Sequence, residues 1–365
     1  MPTRSKLAQY RTMARRAAKW LAIRGGLEAV ALAAGIGLVR CPKSKGVIFT
    51  LHQVRPAGNS SFAPNTHLAV TPEFLDNTIK MLLSQGWKPA RLDDMPRLLE
   101  ETGPEERFMA FTLDDGYRDN LEYAHPVFKK HKIPYTVFVA SGFADRSRSM
   151  WWITLEEMLA RRDEITLRMC EGERTFSTRS TMEKYAAYDY ISDRFDTKDE
   201  DVFVAGVDDA ARRAGIEPLE IVDREILDEG GLREFSADPL VRLGAHSVSH
   251  INLARADHAR MKSEISVSTD HIATLTGSQP SSFAYPYGNR NAACEREFEA
   301  AADQGFRVAV TTRPGLLEEE SAKKPMALPR VSLNGYHQKT RYVKALLTGI
   351  PFNWASYSPA GQRPD

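Results

Sequence analysis

Short apolar runs alternate with helical patterns along most of the chain, and this alternation predicts an α/β fold with a mostly parallel sheet. Predicted strands cover residues 46–51, 107–113, 135–140, 239–245, 282–285 and 306–310. Predicted helices cover residues 117–130, 256–276 and 293–304, and another begins at Pro72, where Thr71 is suited to cap the first turn. The pattern is that of repeated βα units.

The alternation is lost between about residues 145 and 236, where charged residues and short helical patterns dominate. We interpret this segment as a helical insertion in a domain that covers residues 46–350, followed by a loose tail at residues 351–365. The pair Trp151-Trp152 near the start of the insertion has two interpretations. It is a stacking surface for a sugar ring or, as is more common for tryptophans near a helix start, part of a hydrophobic core.

Residues 1–45 form a separate N-terminal segment with unevenly distributed charge. Residues 4–24 contain seven Lys and Arg side chains, whereas residues 27–39 are largely apolar. A signal peptide has the same order, but Glu28 and several glycines interrupt or border the apolar run, which is shorter than the roughly 20 residues that span a bilayer. We predict a basic amphipathic helix that packs on the fold or contacts an anionic membrane surface peripherally.

The overall composition narrows the possible partners and compartments. The 365 residues include 49 Lys and Arg against 48 Asp and Glu, so no excess of positive charge indicates a nucleic-acid partner. The three cysteines are scattered and form no Cys-x-x-Cys pair, which argues against a disulfide framework and against a thiolate zinc site. This usage favours the cytoplasm or the cytoplasmic face of a membrane, with the periplasm as the alternative.

Three polar motifs follow predicted strands, at the strand ends where α/β proteins place their active sites. They are Asp114-Asp115-Gly116, His246-Ser-Val-Ser-His250 and Pro286-Tyr287-Gly288. Each motif alone is also compatible with an ordinary turn or with surface histidines. Two histidines four residues apart on a helical turn share one face, and together with a carboxylate they would leave coordination positions open on a metal ion.

Taken in this order, the three motifs resemble those of the polysaccharide deacetylases with a NodB homology domain, carbohydrate esterase family 4. The resemblance covers roughly residues 46–144 and 236–335. It implies a distorted (β/α) barrel of the NodB homology type, here with a helical insertion. Members of this family remove N-acetyl groups from chitin oligomers, peptidoglycan, poly-N-acetylglucosamine and related glycans.

The resemblance also implies roles for individual residues. Asp115, His246 and His250 match the ligands of a divalent metal, usually zinc, with cobalt, nickel or manganese tolerated in some members. Asp114 matches the general base, which stays ionised beside a dication and takes a proton from the water that the metal activates. In the Pro286-Tyr287 turn, the backbone N–H of Tyr287 would stabilise the oxyanion that forms on the acetyl carbonyl.

The general acid and the partner of the base are less clear from the motifs. No Leu-x-His motif of the kind that often supplies the acid is present, and His52 in Thr50-Leu-His-Gln-Val54 resembles the start of the biofilm poly-N-acetylglucosamine deacetylase branch, where an N-terminal histidine has this role. The alternative is a structural histidine at a strand end. Ala284 stands where many relatives have an arginine that orients the base; Arg330 either supplies that charge or forms a surface salt bridge.

These observations predict a metal-dependent hydrolase that removes acetyl groups from N-acetylated amino sugars of a polysaccharide, an oligosaccharide or a glycoconjugate. Two alternatives remain open at this point. An O-acetyl esterase could use the same site, because metal, base and oxyanion stabilisation suit both bonds. The second alternative is a non-catalytic carbohydrate-binding protein with the same barrel. The presence of all four residues of the predicted site argues against it: Asp114, Asp115, His246 and His250.

Overall fold

The computed structural model describes residues 4–39, 44–169, 172–195 and 199–353. The chain divides into two compact units. The barrel unit comprises Leu27–Ala57, His67–Arg148 and Glu225–Asp365, and the insertion unit comprises Met1–Gly26, Gly58–Thr66 and Ser149–Arg224. The predicted loose tail lies largely outside the described residues, which end at 353.

The helices and strands are numbered here in chain order. The strands are β1 (Gly46–Leu51), β2 (Gln53–Val54), β3 (Ala69–Val70), β4 (Lys88–Pro89), β5 (Phe108–Leu113), β6 (Tyr135–Val139), β7 (Glu164–Met169), β8 (Gly172–Ser177), β9 (Val241–Ala245), β10 (Ser282–Ala284), β11 (Val308–Pro314) and β12 (Leu328–Ser332). The α-helices are α1 (Arg4–Gly35), α2 (Pro72–Ser84), α3 (Met95–Glu101), α4 (His125–His131), α5 (Ser141–Ala144), α6 (Trp151–Arg161), α7 (Thr181–Ser192), α8 (Glu200–Arg213), α9 (Pro218–Glu225), α10 (Glu229–Ser236), α11 (His258–Thr276), α12 (Glu295–Asp303) and α13 (Thr340–Leu346).

Seven parallel strands close into a barrel in the order β1-β12-β11-β10-β9-β6-β5, and β5 pairs back with β1. The short strand β4 adds to β5 outside this ring. Every residue of β1 and β5 is buried, as expected for parallel strands that are covered on both faces. The structure therefore confirms the predicted distorted (β/α) barrel.

The closing strand β12 is the barrel strand that the sequence pattern did not predict. It lies between β11 and β1, with Phe49 aligned to Val331, and it carries Arg330. Proline lacks a backbone N–H and is depleted in strands, so a segment that contains Pro329 is not recognised as a strand from its sequence. The other six barrel strands fall within a few residues of their predicted bounds.

The insertion unit is not purely helical, which corrects the sequence-based expectation. Strands β7 and β8 form an antiparallel pair in which Ile165 opposes Phe176. The Trp151-Trp152 pair is buried, and Trp151 stacks on Phe195 with ring centroids 4.5 Å apart. These tryptophans belong to a hydrophobic core, and the sugar-stacking interpretation is wrong for them.

The N-terminal segment contains the 32-residue helix α1. Its apolar side chains occupy more than one face: Leu27 and Val30 are buried, whereas Leu32 is exposed, as is Ile36 in the turn that follows the helix. Among the described helices, none combines the length and the apolarity that crossing a bilayer requires.

Candidate active site

The carboxyl ends of the barrel strands bring the predicted site residues to one end of the barrel unit. Asp114 and Asp115 follow β5, His246 follows β9, and Pro286 and Tyr287 follow β10 by two and three residues. His52 follows β1, and Arg330 lies within β12. All of these strands run in parallel, so their carboxyl ends point the same way and residues distant in sequence become neighbours.

Asp114 is held by a bidentate ion pair with Arg330. The guanidinium nitrogens Nη1 and Nη2 of Arg330 each donate to one carboxylate oxygen of Asp114 at 2.7 Å, and both residues are buried. Burial alone would raise the pKa of Asp114, but the charge and hydrogen bonds of Arg330 outweigh it and hold that pKa well below its usual range. Asp114 is therefore ionised, and its orientation is determined by a planar two-point contact.

Two threonines complete the surroundings of this ion pair, and neither was recognised in the sequence. The Thr112 hydroxyl accepts a hydrogen bond from Arg330 Nη1 at 3.0 Å, and the Thr50 hydroxyl donates to Asp114 at 3.4 Å. Residues two apart in a strand point to the same side, so Thr112 shares the side from which Asp114 extends. This alternation is the signal that would have identified Thr112.

The Asp114-Asp115-Gly116 turn separates the two neighbouring carboxylates. Asp115 and Gly116 both have left-handed backbone conformations, with φ of 73° and 78°. Such a conformation is strained for a residue other than glycine and is found mostly at functional sites. The result is that Asp114 contacts Arg330, whereas Asp115 faces the histidines.

Asp115, His246 and His250 form a compact cluster. Asp115 Oδ1 lies 3.5 Å from His246 Nε2 and 3.4 Å from His250 Nε2. One ligand atom from each residue lies within 4.8 Å of the others, and Asp115 and His246 are buried. Among the His, Cys, Asp and Glu side chains in the described part of the chain, these three are the group whose ligand atoms are close enough to hold one metal ion.

The His246–His250 segment is a loop and not the helical turn that its spacing suggested. Ser247 and His250 have φ of 61° and 53°, which interrupts any helix, and the Ser247 hydroxyl accepts the backbone N–H of His250 at 3.0 Å. The two imidazoles converge because of this loop conformation.

Glu264 on α11 holds this loop in place and is a second residue that the sequence did not reveal. Its Oε2 accepts the backbone N–H groups of Val248 and Ser249 at 2.9 and 2.8 Å, while its Oε1 accepts from Arg260 at 2.8 Å. Glu264 is buried, so these bonds satisfy a carboxylate that has little access to water. A backbone anchored between the two histidines restricts where both rings can lie.

His246 has a defined orientation. Its Nδ1 lies 2.7 Å from the carbonyl oxygen of Ala284, and a carbonyl can only accept, so Nδ1 carries the proton. This leaves Nε2 directed at Asp115 and available as a ligand atom, in the arrangement typical of metal-binding histidines.

The donor set fits a divalent cation. Asp115 Oδ1 is buried and, within the described residues, makes no hydrogen bond, although buried polar atoms rarely lack one. Burial lowers the pKa of His250 to about 4, so its ring is neutral and can bind a metal. Burial opposes ionisation of Asp115 too, but the adjacent His250 and His246 lower its pKa on balance. Two imidazoles and a carboxylate suit zinc and several other divalent ions.

The remaining predicted residues surround this cluster. The interaction with His52 contributes to the lowered pKa of both Asp114 and Asp115, and Asn120 Nδ2 donates to the His52 carbonyl at 2.8 Å. The Tyr287 ring lies 5.0 Å from the His250 ring, in an edge-to-face arrangement. Tyr287 and Gly288 both have positive φ, and a Cβ at Gly288 would lie 2.6 Å from the Thr312 backbone nitrogen, so the tight turn after Pro286 requires glycine.

A sequence model of a protein family now identifies the group to which this barrel belongs. The model described as polysaccharide deacetylase matches residues 101–170 and 202–309, which include Asp114, Asp115 and both histidines. The chain belongs to the polysaccharide deacetylase family. Family membership supports a deacetylase that acts on a polysaccharide. No curated protein sequence matches the chain significantly.

Solved structures of other deacetylases have the same fold. The deacetylase PplD from Streptococcus pyogenes, determined in complex with acetate, is 14% identical with a TM-score of 0.54, over 82% of this chain and 97% of PplD. IcaB from Ammonifex degensii is 16% identical with a TM-score of 0.51, over 83% of this chain and 97% of its own. A de-N-acetylase from Aggregatibacter actinomycetemcomitans is 11% identical with a TM-score of 0.51, over 82% and 99%. At these identities the likeness concerns the polysaccharide deacetylase fold alone.

Proposed function

We propose that this polysaccharide deacetylase is a metal-dependent hydrolase that removes acetyl groups from N-acetylated amino sugars in a polysaccharide, an oligosaccharide or a glycoconjugate. The observation that supports metal dependence is the buried, unbonded Oδ1 of Asp115 beside the Nε2 atoms of two histidines. The cation is most simply zinc, with cobalt, nickel or manganese as alternatives. When bound, it would lower the pKa of water and polarise the acetyl carbonyl.

Asp114 acts as the general base in this proposal. Arg330 lowers its pKa and makes it a weak base, but also keeps it ionised at neutral pH. Each carboxylate oxygen has two lone pairs, so the contacts with Arg330 leave capacity to accept a proton from the attacking water. A weak base is sufficient here because the cation increases the acidity of that water.

Two further residues act on the substrate. The backbone N–H of Tyr287 donates to the oxygen of the acetyl carbonyl as negative charge develops there, and the tight turn through Gly288 fixes its direction. His52 donates a proton to the departing amine, which an amide requires because an amide anion is a poor leaving group. His52 is close enough to influence both carboxylates electrostatically.

The presence of His52 as an acid favours N-deacetylation over O-deacetylation as the reaction. An ester can lose an alkoxide with less help, whereas an amine cannot leave without a proton. Among proteins of the same fold, one is named a de-N-acetylase, and another was determined with acetate, the product of either reaction.

The experiment that tests this proposal measures acetate release from a panel of N-acetylated oligosaccharides and lipid-linked sugars. The purified chain is stripped with a chelator and reloaded with zinc or cobalt, and Asp114→Asn serves as the control for contaminating activity. We expect acetate release that is lost on chelation and restored by metal. Activity that survives chelation would contradict metal dependence, and release from O-acetylated glycans alone would identify an esterase.

A further inference from the structure

An exposed apolar surface lies on the C-terminal part of α1 and the turn that follows it. Leu32, Ile36 and Leu38 are 68%, 64% and 76% exposed. Leu32 lies in the last turn of α1, and the backbone N–H of Ile36, the first residue after the helix, donates to the Leu32 carbonyl at 3.1 Å, so the two side chains lie on the same side. The large hydrophobic side chains that are exposed in the described residues are Leu21, Leu32, Ile36, Leu38, Leu83, Tyr123, Val202 and Val267, so three of the eight occur within seven residues. Such a concentration indicates a binding surface.

Two kinds of contact attach this part of α1 to the rest of the barrel unit. Leu27 and Val30 are buried, and Glu28 accepts hydrogen bonds from Arg341 Nε and Nη2 at 2.7 and 2.6 Å. Glu28 also contacts the Tyr342 hydroxyl. The hydrogen bonds from Arg341 lower the pKa of Glu28 to about 2, so this contact persists at physiological pH. These contacts fix the C-terminal part of the helix, while Leu32 and Ile36 remain exposed.

Positive charge borders the apolar side chains. Glu28 is the sole charged residue in the segment 27–39, and it faces the cations Lys339 and Arg341. Lys344 is exposed and lies three residues after Arg341, on the same side of α13. The patch thus combines exposed apolar side chains with the cations Lys339, Arg341 and Lys344, the first two of which are paired with Glu28.

We infer that the surface formed by Leu32, Ile36, Leu38 and the cations of α13 binds an anionic lipid bilayer. Apolar side chains that enter the acyl boundary, flanked by Lys and Arg that contact lipid phosphates, are the features of interfacial helices. A second copy of the chain is a poorer occupant because a symmetric contact would bring the same cations together. The inference does not depend on the proposed deacetylase reaction.

The test is co-sedimentation of the full chain with vesicles. Vesicles of phosphatidylcholine with phosphatidylglycerol are compared with vesicles of phosphatidylcholine alone. The variant Leu32→Ser/Ile36→Ser is compared with Leu83→Ser/Val267→Ser, which removes two exposed apolar side chains elsewhere in the barrel unit. We expect the parent chain and the control variant to bind anionic vesicles, and Leu32→Ser/Ile36→Ser to bind about tenfold more weakly. Salt at 0.5 M should also weaken binding.

Three outcomes would overturn the inference. One is no binding of the parent chain to anionic vesicles, and another is equal loss of binding in both double variants. The third is a dimer of the parent chain in light scattering that Leu32→Ser/Ile36→Ser converts to monomer, which would assign the surface to a second copy. Acetate release from a soluble substrate should be the same in the parent chain and both double variants. The vesicle-binding result can therefore be judged independently of the proposed deacetylase activity.

Discussion

The two halves of the candidate site are built in different ways. On one side, the charge of Asp114 is paired with Arg330, which donates two hydrogen bonds of 2.7 Å to its carboxylate. On the other side, Asp115 Oδ1 is equally buried but is 3.4–3.5 Å from two imidazole nitrogens and makes no hydrogen bond within the described residues. The adjacent carboxylates therefore have different environments: Asp114 is paired with an arginine, whereas Asp115 faces two imidazole nitrogens.

This difference assigns separate tasks to the two residues. A carboxylate held by an internal arginine keeps its position whether or not a metal is present. A carboxylate that faces two imidazole nitrogens at 3.4–3.5 Å would gain a full counter-charge when a cation binds. The base side should therefore determine chemistry and stability, and the histidine side should determine metal affinity.

The largest effect is expected on the histidine side. Replacing His250 with alanine removes a ligand atom, so metal affinity should fall by more than about 100-fold, because even residues that only support a metal ligand contribute 10–100-fold. Acetate release should disappear with the metal. Titration with cobalt, followed by its visible absorption, measures the affinity directly. Tight cobalt binding by His250→Ala would remove this histidine from the ligand set.

On the base side, Asp114→Asn should lower acetate release by about 10²–10⁴-fold, the usual contribution of a general base. Metal affinity should change by no more than a few-fold, because Asp114 is directed at Arg330 and not at the histidines. The same cobalt titration and acetate assay give both values. If Asp114→Asn is as active as the parent, the assigned role is wrong.

Arg330→Met should destabilise the metal-free protein by about 3–5 kcal/mol, because it leaves Asp114 buried without a counter-charge. The double variant Asp114→Asn/Arg330→Met removes both charges and should recover much of this loss. Urea unfolding of the parent, the two single variants and the double variant gives the coupling energy. Additive effects would show that the ion pair does not stabilise the barrel unit.

His52→Ala should slow amide substrates by about 100-fold, at the lower end of the range for a general acid. Activated acetate esters should be slowed much less, because their leaving groups need no proton. The ratio of kcat/KM values for an N-acetylated sugar and an acetate ester is the relevant measurement. Equal slowing of both substrates would exclude His52 as the acid.

The sequence predicted the residues at the strand ends better than it predicted their contacts. Asp114, Asp115 and His246 follow apolar runs that are strands in the structure, and periodicity detects such runs. The sequence offered Arg330 as the partner of the base but left a surface salt bridge as the alternative, because β12, which places Arg330 beside Asp114, contains Pro329 and was not predicted. The loop that joins His246 to His250 depends on Glu264, which is 14 residues further along the chain and on another element. Long-range hydrogen bonds of this kind have no local pattern.

Glu264 provides the finest test of the difference between the two halves. Glu264→Gln replaces a carboxylate that accepts two backbone N–H groups with an amide, which weakens its hold on the loop between the histidines. We expect cobalt affinity to fall by about tenfold, the lower limit for supporting residues. Glu264→Asp, which keeps the charge on a shorter side chain, should restore part of it.

The matched control is Glu297→Gln. Glu297 is also buried, accepts the backbone N–H of Cys294 at 2.8 Å and pairs with Arg296, and these bonds lie at the start of α12 and not at the His246–His250 loop. Both variants should lose about 1–2 kcal/mol of unfolding free energy, as expected for a lost hydrogen bond to a charged group. Only Glu264→Gln should change cobalt affinity. If the two variants change that affinity equally, Glu264 stabilises the fold without positioning the histidines.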